Sequence, residues 1–118
     1  MKNKEARRER YLRDPLPIRL GGIAANLARI KSSAGNPLNY QVVNVMLYES
    51  KFYIEWTAAE TPIETAAALV ELQLALVGWG RRWATGYSDP ETRNALIEFA
   101  RAWSDRVLEM SGLLDTAT

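Results

Sequence analysis

Four segments of this sequence repeat their apolar residues every three or four positions, and residues typical of helix ends separate the segments. Apolar residues at that spacing share one face of an α-helix. The pattern therefore predicts four helices, over about residues 16–32, 37–56, 62–84 and 90–111. The first of them shows the spacing clearly, in Leu16, Leu20, Ile23, Leu27 and Ile30.

Capping residues define where these helices begin and end. An Asn–Pro pair at 36–37 and capping boxes at 61–64 and 88–91 start the later helices, and Gly112 follows the last one. The connections are short, about five residues each, which favours antiparallel neighbours. The predicted fold is all-α, an up-down-up-down antiparallel four-helix bundle over residues 15–118.

Residues 1–14 differ in composition from this predicted domain. They hold six basic and three acidic residues, a net charge of +3, whereas the whole chain carries +1. They end at Asp14-Pro15, and a proline disfavours helix in the residue before it. We predict a short basic N-terminal arm that is loosely ordered or forms a short helix.

No targeting segment is evident in this pattern. The arm lacks an apolar stretch of signal-peptide length, and the longest apolar region, residues 66–80, is too short to span a bilayer. We therefore expect a cytoplasmic protein without a membrane span.

Two adjacent glycines, Gly21 and Gly22, lie inside the first predicted helix. Each costs roughly 1 kcal/mol in a helix relative to alanine. That cost indicates that another element approaches the helix closely at this point. The alternative is a weaker helix that begins later, at Ile23.

The second and third predicted helices are apolar on two sides, whereas a helix in a single bundle needs only one inward face. In the second helix, Tyr40, Val43, Leu47 and Ile54 form one face, and a further apolar face lies opposite. The surplus predicts a homodimer or a higher homo-oligomer. We predict an interface formed by Val45, Tyr48, Phe52, Trp56, Leu72, Leu76, Trp79 and Trp83.

Two alternatives would also cover the surplus apolar surface. The arm would fold back over it, with Tyr11 and Leu12 as anchors. Otherwise a different protein would bind there as an obligate partner. The third predicted helix has two apolar stripes, and only one of them contributes to the predicted interface. The other stripe consists of Ile63, Ala67, Val70, Leu74 and Val77.

The sequence contains no histidine and no cysteine. This excludes zinc sites built on those ligands, Fe–S clusters, cysteine nucleophiles and Ser-His-Asp triads. The glutamates at positions 49, 55, 64 and 71 fall on the polar sides of their helices, so a carboxylate metal site is not predicted. We predict a non-catalytic interaction or regulatory protein with no cofactor.

A nucleic-acid-associated function is the alternative. Arginines and aromatic residues alternate near the end of the third helix, and such a pattern can contact phosphates and stack on bases. The near balance of 15 basic and 14 acidic residues does not favour this function. The residues predicted to contact an anion or a nucleic acid are Arg7, Arg8, Arg10, Arg81 and Arg82.

Overall fold

A computed structural model describes residues 3–114, and all regular secondary structure in that range is helical. Two short 3₁₀ turns, Pro37–Asn39 and Ala58–Glu60, accompany five α-helices. The all-α prediction is confirmed. The four-helix bundle is not confirmed, because residues of the predicted arm form a fifth helix. The helices are α1 (Lys4–Arg13), α2 (Leu16–Ser33), α3 (Tyr40–Thr57), α4 (Ile63–Gly86) and α5 (Pro90–Ser111).

The predicted outer limits of the arm and the domain, residues 1 and 118, lie outside the described residues. Within the described residues, α2 and α5 have nearly the predicted bounds. The capping box predicted at 88–91 does not form: Asp89, rather than Ser88, caps α5, and its side chain accepts a hydrogen bond from the Glu91 backbone N–H at 3.3 Å. Gly112 ends that helix with φ 75°, a left-handed conformation that glycine adopts without strain.

Two predicted helix starts need correction. The second helix begins at Tyr40, because residues 37–39 form a 3₁₀ turn that the Asn36 side chain caps. The capping box at 61–64 does not form: Thr61 Oγ1 donates to the carbonyl of Ala58 at 2.7 Å. Pro62 takes the N-cap position of α4 without a side-chain cap, since the threonine hydroxyl is used in the preceding turn.

Each of the four long helices packs against two others. α2 lies against α3 and α5, and α4 also lies against α3 and α5, while α1 packs on α3. The shared core buries apolar side chains from all four long helices, among them Ile23, Leu27, Ile30, Val43, Leu47, Ile54, Leu69, Leu72, Leu76, Trp83, Leu96 and Val107. Burial of this surface is the main favourable term in folding.

The structure separates the roles of the two adjacent glycines in α2. A Cβ atom at Gly21 would stand 2.7 Å from Leu113 Cδ1, so the chain after α5 approaches the helix closely there. A Cβ atom at Gly22 would meet nothing within 4 Å. The predicted close approach is therefore confirmed at Gly21 and wrong at Gly22.

This difference predicts opposite outcomes for two neighbouring substitutions. Gly22→Ala is expected to raise the free energy of unfolding by about 0.5–1 kcal/mol, because alanine loses less backbone entropy in a helix. Gly21→Ala should gain less, because Leu113 must move to admit the methyl group. Urea denaturation of the two variants measures both changes, and equal gains would contradict the close contact at Gly21.

Candidate functional site

The α4 stripe predicted to form the interface is buried in the structure, and the other apolar stripe of α4 faces solvent. Leu72, Leu76 and Trp83 have no exposed surface, and Trp79 keeps only 8%. Their assignment to an interface is corrected, because side chains covered by their own chain have no surface to offer a partner. The stripe that faces solvent, called here the outer stripe, consists of Ile63, Val70, Leu74 and Val77, which are between 38% and 85% exposed.

The sequence contains a feature that distinguishes the buried stripe of α4 from the exposed one. The inward stripe contains two tryptophans and several leucines, whereas the outer stripe has no aromatic residue and includes two valines. Large aromatic side chains bury the most apolar area and are therefore favoured inside. Periodicity weighs both stripes equally, so it did not reveal that the outer stripe is the exposed one.

The predicted interface residues of α3 divide into two groups. Val45 and Tyr48 remain 50% and 42% exposed. Trp56 is buried and Phe52 is half-buried, because α1 lies over this end of α3. The Tyr11 ring lies 5.8 Å from that of Trp56, and the Lys4 ammonium lies 4.0 Å from the Phe52 ring centre. At this end the structure matches the alternative in which the N-terminal segment folds back.

Tyr11 anchors α1 to two other helices, α2 and α3. Its ring stacks on that of Tyr53 at 4.9 Å. Its hydroxyl donates to the carbonyl of Arg19 at 3.0 Å and accepts from Thr57 Oγ1 at 3.1 Å. Burial raises the pKa of Tyr11 to about 12, since the charged phenolate would lose its solvation. The neutral hydroxyl that these hydrogen bonds require is therefore retained at ordinary pH.

An ion pair secures the start of α2. Arg19 is 5% exposed, and its guanidinium donates to both carboxylate oxygens of Glu60, at 2.7 and 3.1 Å. It also donates to the carbonyl of Asp14 at 3.0 Å. The hydrogen bonds from Arg19 lower the pKa of Glu60 below its usual value. A guanidinium buried among these three acceptors is a structural group rather than a free binding site.

A shallow groove joins α3 to α4 beside the outer stripe. It has a volume of about 180 Å³ and is lined in part by Val45, Tyr48 and Gly80. Because Gly80 follows Val77 by three positions in a helix, the exposed edge of α3 borders the outer stripe. We call the outer stripe together with Val45 and Tyr48 the apolar face.

Charges along α4 are separated by sign. Glu64 lies in the first turn and Glu71 lies in the first half, whereas Arg81 and Arg82 lie near the other end. Arg81 follows Ile63 by eighteen residues, which is about five turns at 3.6 residues per turn, so it falls on the line of the outer stripe. The guanidinium of Arg82 instead lies over the Trp79 ring, 4.2 Å from its centre.

The apolar region predicted to be too short to span a bilayer belongs to α4, which is longer than that region. By length and composition alone, α4 is sufficient to cross a membrane, the one such helix in the described range. Its 18-residue window has a mean hydropathy of 1.2, and 28% of the window is buried inside the protein. One such helix is weak evidence for a membrane span, because core helices of soluble proteins meet the same criterion. The low buried share does agree with the exposure of the outer stripe.

The structure does not bring the five predicted anion-contacting arginines together. Arg7, Arg8 and Arg10 lie on α1, which contacts α3 from Glu49 onward. Arg81 and Arg82 immediately precede Trp83, whose indole N–H donates to the carbonyl of Tyr40 at the opposite end of α3. The two groups of arginines therefore do not form one continuous surface.

Arg7 is also neutralised. Its guanidinium lies 2.8 Å from Glu49 Oε1, in a partly buried ion pair.

Among residues 3–114, no cluster of three or more acidic side chains is placed to hold a metal ion.

Comparisons with known proteins found no match, whether to family models, to curated proteins or to solved structures.

Proposed function

We propose that this chain is a small, non-catalytic interaction or regulatory protein that acts in the cytoplasm as a homodimer formed through its apolar face. The observation that carries the proposal is the exposure of Leu74, 69%, in a row with Ile63, Val70 and Val77. In this proposal α2 to α5 keep the up-down-up-down arrangement predicted from the sequence, which leaves the outer side of α4 for a partner.

The dimensions of the apolar face suit an association of this kind. From Ile63 to Val77 the outer stripe extends about 21 Å at a rise of 1.5 Å per residue. With the adjoining edge of α3 it presents roughly several hundred Å² of apolar surface, comparable to the largest patch of a typical monomer, which is often functional. Covering it would contribute several kcal/mol, at about 25 cal/mol per Å².

The charges on α4 favour a second copy of the chain as the partner. In a symmetric dimer with two antiparallel α4 helices, the same surface of each copy faces the other. Glu64 of one copy would then lie beside Arg81 of the second, and the reverse pair would form at the other end. Opposite charges at both ends would set the orientation, while the apolar middle would supply most of the affinity.

Substitution of Leu74 tests the proposal. Leu74→Asp is expected to convert the dimer to a monomer in light scattering after size exclusion, because it places a charge in the centre of the apolar face. The matched control is Leu38→Asp: Leu38 is 90% exposed but lies in the 3₁₀ turn before α3. This control should remain dimeric.

A charge exchange tests the orientation. Arg81→Glu should weaken the dimer by repulsion against Glu64, and the double variant Arg81→Glu with Glu64→Arg should restore it. A wild-type chain that is monomeric in the tens-of-micromolar range, where a stable dimer would persist, contradicts self-association. A monomer that binds a different protein through Leu74 would show that the face serves another partner.

A further inference from the structure

A second, polar cavity lies between α1, α2 and α3, on a different part of the molecule from the apolar face. Its volume is about 540 Å³, within the range typical of small-molecule sites. Residues from all three helices line it, among them Arg10, Arg29, Gly22, Asn26 and Tyr53. We call it the α1–α2 groove. The proposed dimer leaves it unused.

The charges in the α1–α2 groove favour an anion. Three guanidinium groups line it, and only that of Arg7 is neutralised, by Glu49 at 2.8 Å. Arg10 of α1 and Arg29 of α2 have no carboxylate within ion-pair distance among residues 3–114. Two uncompensated guanidiniums therefore reach the same cavity from different helices.

Besides Glu49, the groove has one other carboxylate, that of Asp14 near the junction of α1 and α2. Asp14 follows α1 and lines the groove, as does Ile18 in the first turn of α2. Ile18 and Arg29 are eleven residues apart on α2, about 16 Å along the helix axis. The carboxylate of Asp14 therefore lies at one end of the groove and Arg29 at the other, and Arg10 precedes Asp14 by about one turn on α1.

A buried hydrogen-bond network around Asn26 lies next to Arg29. Asn26 is 4% exposed, and its amide donates to Ser50 Oγ at 2.7 Å and to the carbonyl of Met46 at 3.2 Å. The amide oxygen of Asn26 in turn accepts from Arg29 Nη1 at 3.5 Å. This long contact uses one nitrogen of the exposed Arg29 side chain and leaves its other guanidinium donors available to a ligand.

The floor of the groove leaves room for more than a single ion. Gly22 and Ala25 form part of it, and a Cβ atom at Gly22 would meet nothing within 4 Å. Tyr53, stacked on Tyr11, supplies an aromatic wall. The cavity is many times larger than a water molecule, whose share of liquid volume is about 30 Å³. The groove therefore has room for a ligand with an organic body as well as a charged group.

From these features we infer that the α1–α2 groove binds a small organic anion, whose phosphate or carboxylate group lies between Arg10 and Arg29 and whose body covers Gly22 and Ala25. Guanidinium groups bind such oxyanions with paired, charge-assisted hydrogen bonds. The small residues of the floor allow the ligand to approach the backbone of α2 closely.

The full-length chain tests the inference in calorimetric titrations at fixed ionic strength with three probes: adenosine monophosphate, citrate and inorganic phosphate. We expect saturable binding of adenosine monophosphate if the charged group is a phosphate, and of citrate if it is a carboxylate. Inorganic phosphate, which lacks an organic body, should bind more weakly than the preferred probe. Binding of inorganic phosphate alone, or with equal affinity, would overturn the inference.

Matched variants locate the site. Arg10→Gln and Arg29→Gln should each weaken binding of the preferred probe about tenfold or more, the usual loss for a charge-assisted hydrogen bond. Arg8→Gln is the control, since Arg8 is exposed on the same helix and does not line the groove. Gly22→Leu should block the organic probe by filling the floor.

Thermal unfolding of each variant without ligand checks that the fold is intact. Arg29→Lys is a second variant at this position: it keeps the charge and should bind the preferred probe with intermediate affinity. Equal weakening by Arg8→Gln and Arg10→Gln would indicate attraction to net charge rather than a site. That result, or no saturable binding of any probe, would contradict the inference.

Discussion

Trp83→Ala is expected to lower the free energy of unfolding by about 3–5 kcal/mol, the range for removing a large aromatic side chain from a core. Trp83 has no exposed surface. Its indole N–H donates to the carbonyl of Tyr40 at 3.1 Å, so the same side chain joins the end of α4 to the start of α3. The substitution would both open a cavity and leave the Tyr40 carbonyl without this donor.

Guanidinium denaturation monitored by circular dichroism measures this loss. Trp83→Phe is the matched control: it keeps most of the apolar volume and loses the N–H, so its cost should be smaller, about 1–3 kcal/mol. Trp103→Ala is a second control, because Trp103 is only half-buried and should cost less than Trp83. A loss below about 1 kcal/mol for Trp83→Ala would contradict its position at the centre of the core.

Leu76→Ala is expected to destabilise the chain by about 2–5 kcal/mol, whereas Leu74→Ala should change the stability of the monomer by less than about 0.5 kcal/mol. The two leucines are two residues apart on α4. Leu76 has no exposed surface and Leu74 is 69% exposed, so truncation leaves a cavity only at Leu76. Denaturation at a concentration low enough to keep the chain monomeric separates stability from association.

The affinity of the proposed dimer should depend on Leu74 more than on Leu76, the reverse of the order expected for stability. Leu74→Ala should weaken the proposed dimer without unfolding the protein, and any effect of Leu76→Ala on association should follow its loss of stability. If Leu74 contributed more to monomer stability than Leu76, the stripe predicted from the sequence to be the interface would be the correct one, and the burial of Leu76 would be contradicted.

Helix positions followed from local features of the sequence. The bounds of α2 and α5 agree with the predicted 16–32 and 90–111 to within one residue. Gly112 acts as the predicted stop, whereas the cap of α5 is Asp89, one residue after the position that the capping box at 88–91 predicts. The capping box at 61–64 failed because the Thr61 hydroxyl bonds to the preceding turn, and the sequence motif is compatible with both uses.

The contacts of α1 did not follow from local features. Charge composition and the break at Asp14-Pro15 indicated a basic arm, loosely ordered or forming a short helix. In the structure Tyr11 stacks on Tyr53 and Arg7 pairs with Glu49, both more than forty positions further along the chain. Partners so distant in sequence are set only when α2 and α3 have packed. The same reason explains why the α1–α2 groove was not predicted, since its lining comes from three helices.

The amino-acid sequence by itself determined that the chain is helical, where most of the helices begin and end, and that α4 has apolar residues on two sides. Only the tertiary structure decided which side is covered, because hydrophobic burial has no direction of its own and both stripes gain from leaving water. Packing against α3 and α5 accommodates the bulky row that contains Trp79 and Trp83, and this places Leu74 and its neighbours on the outside.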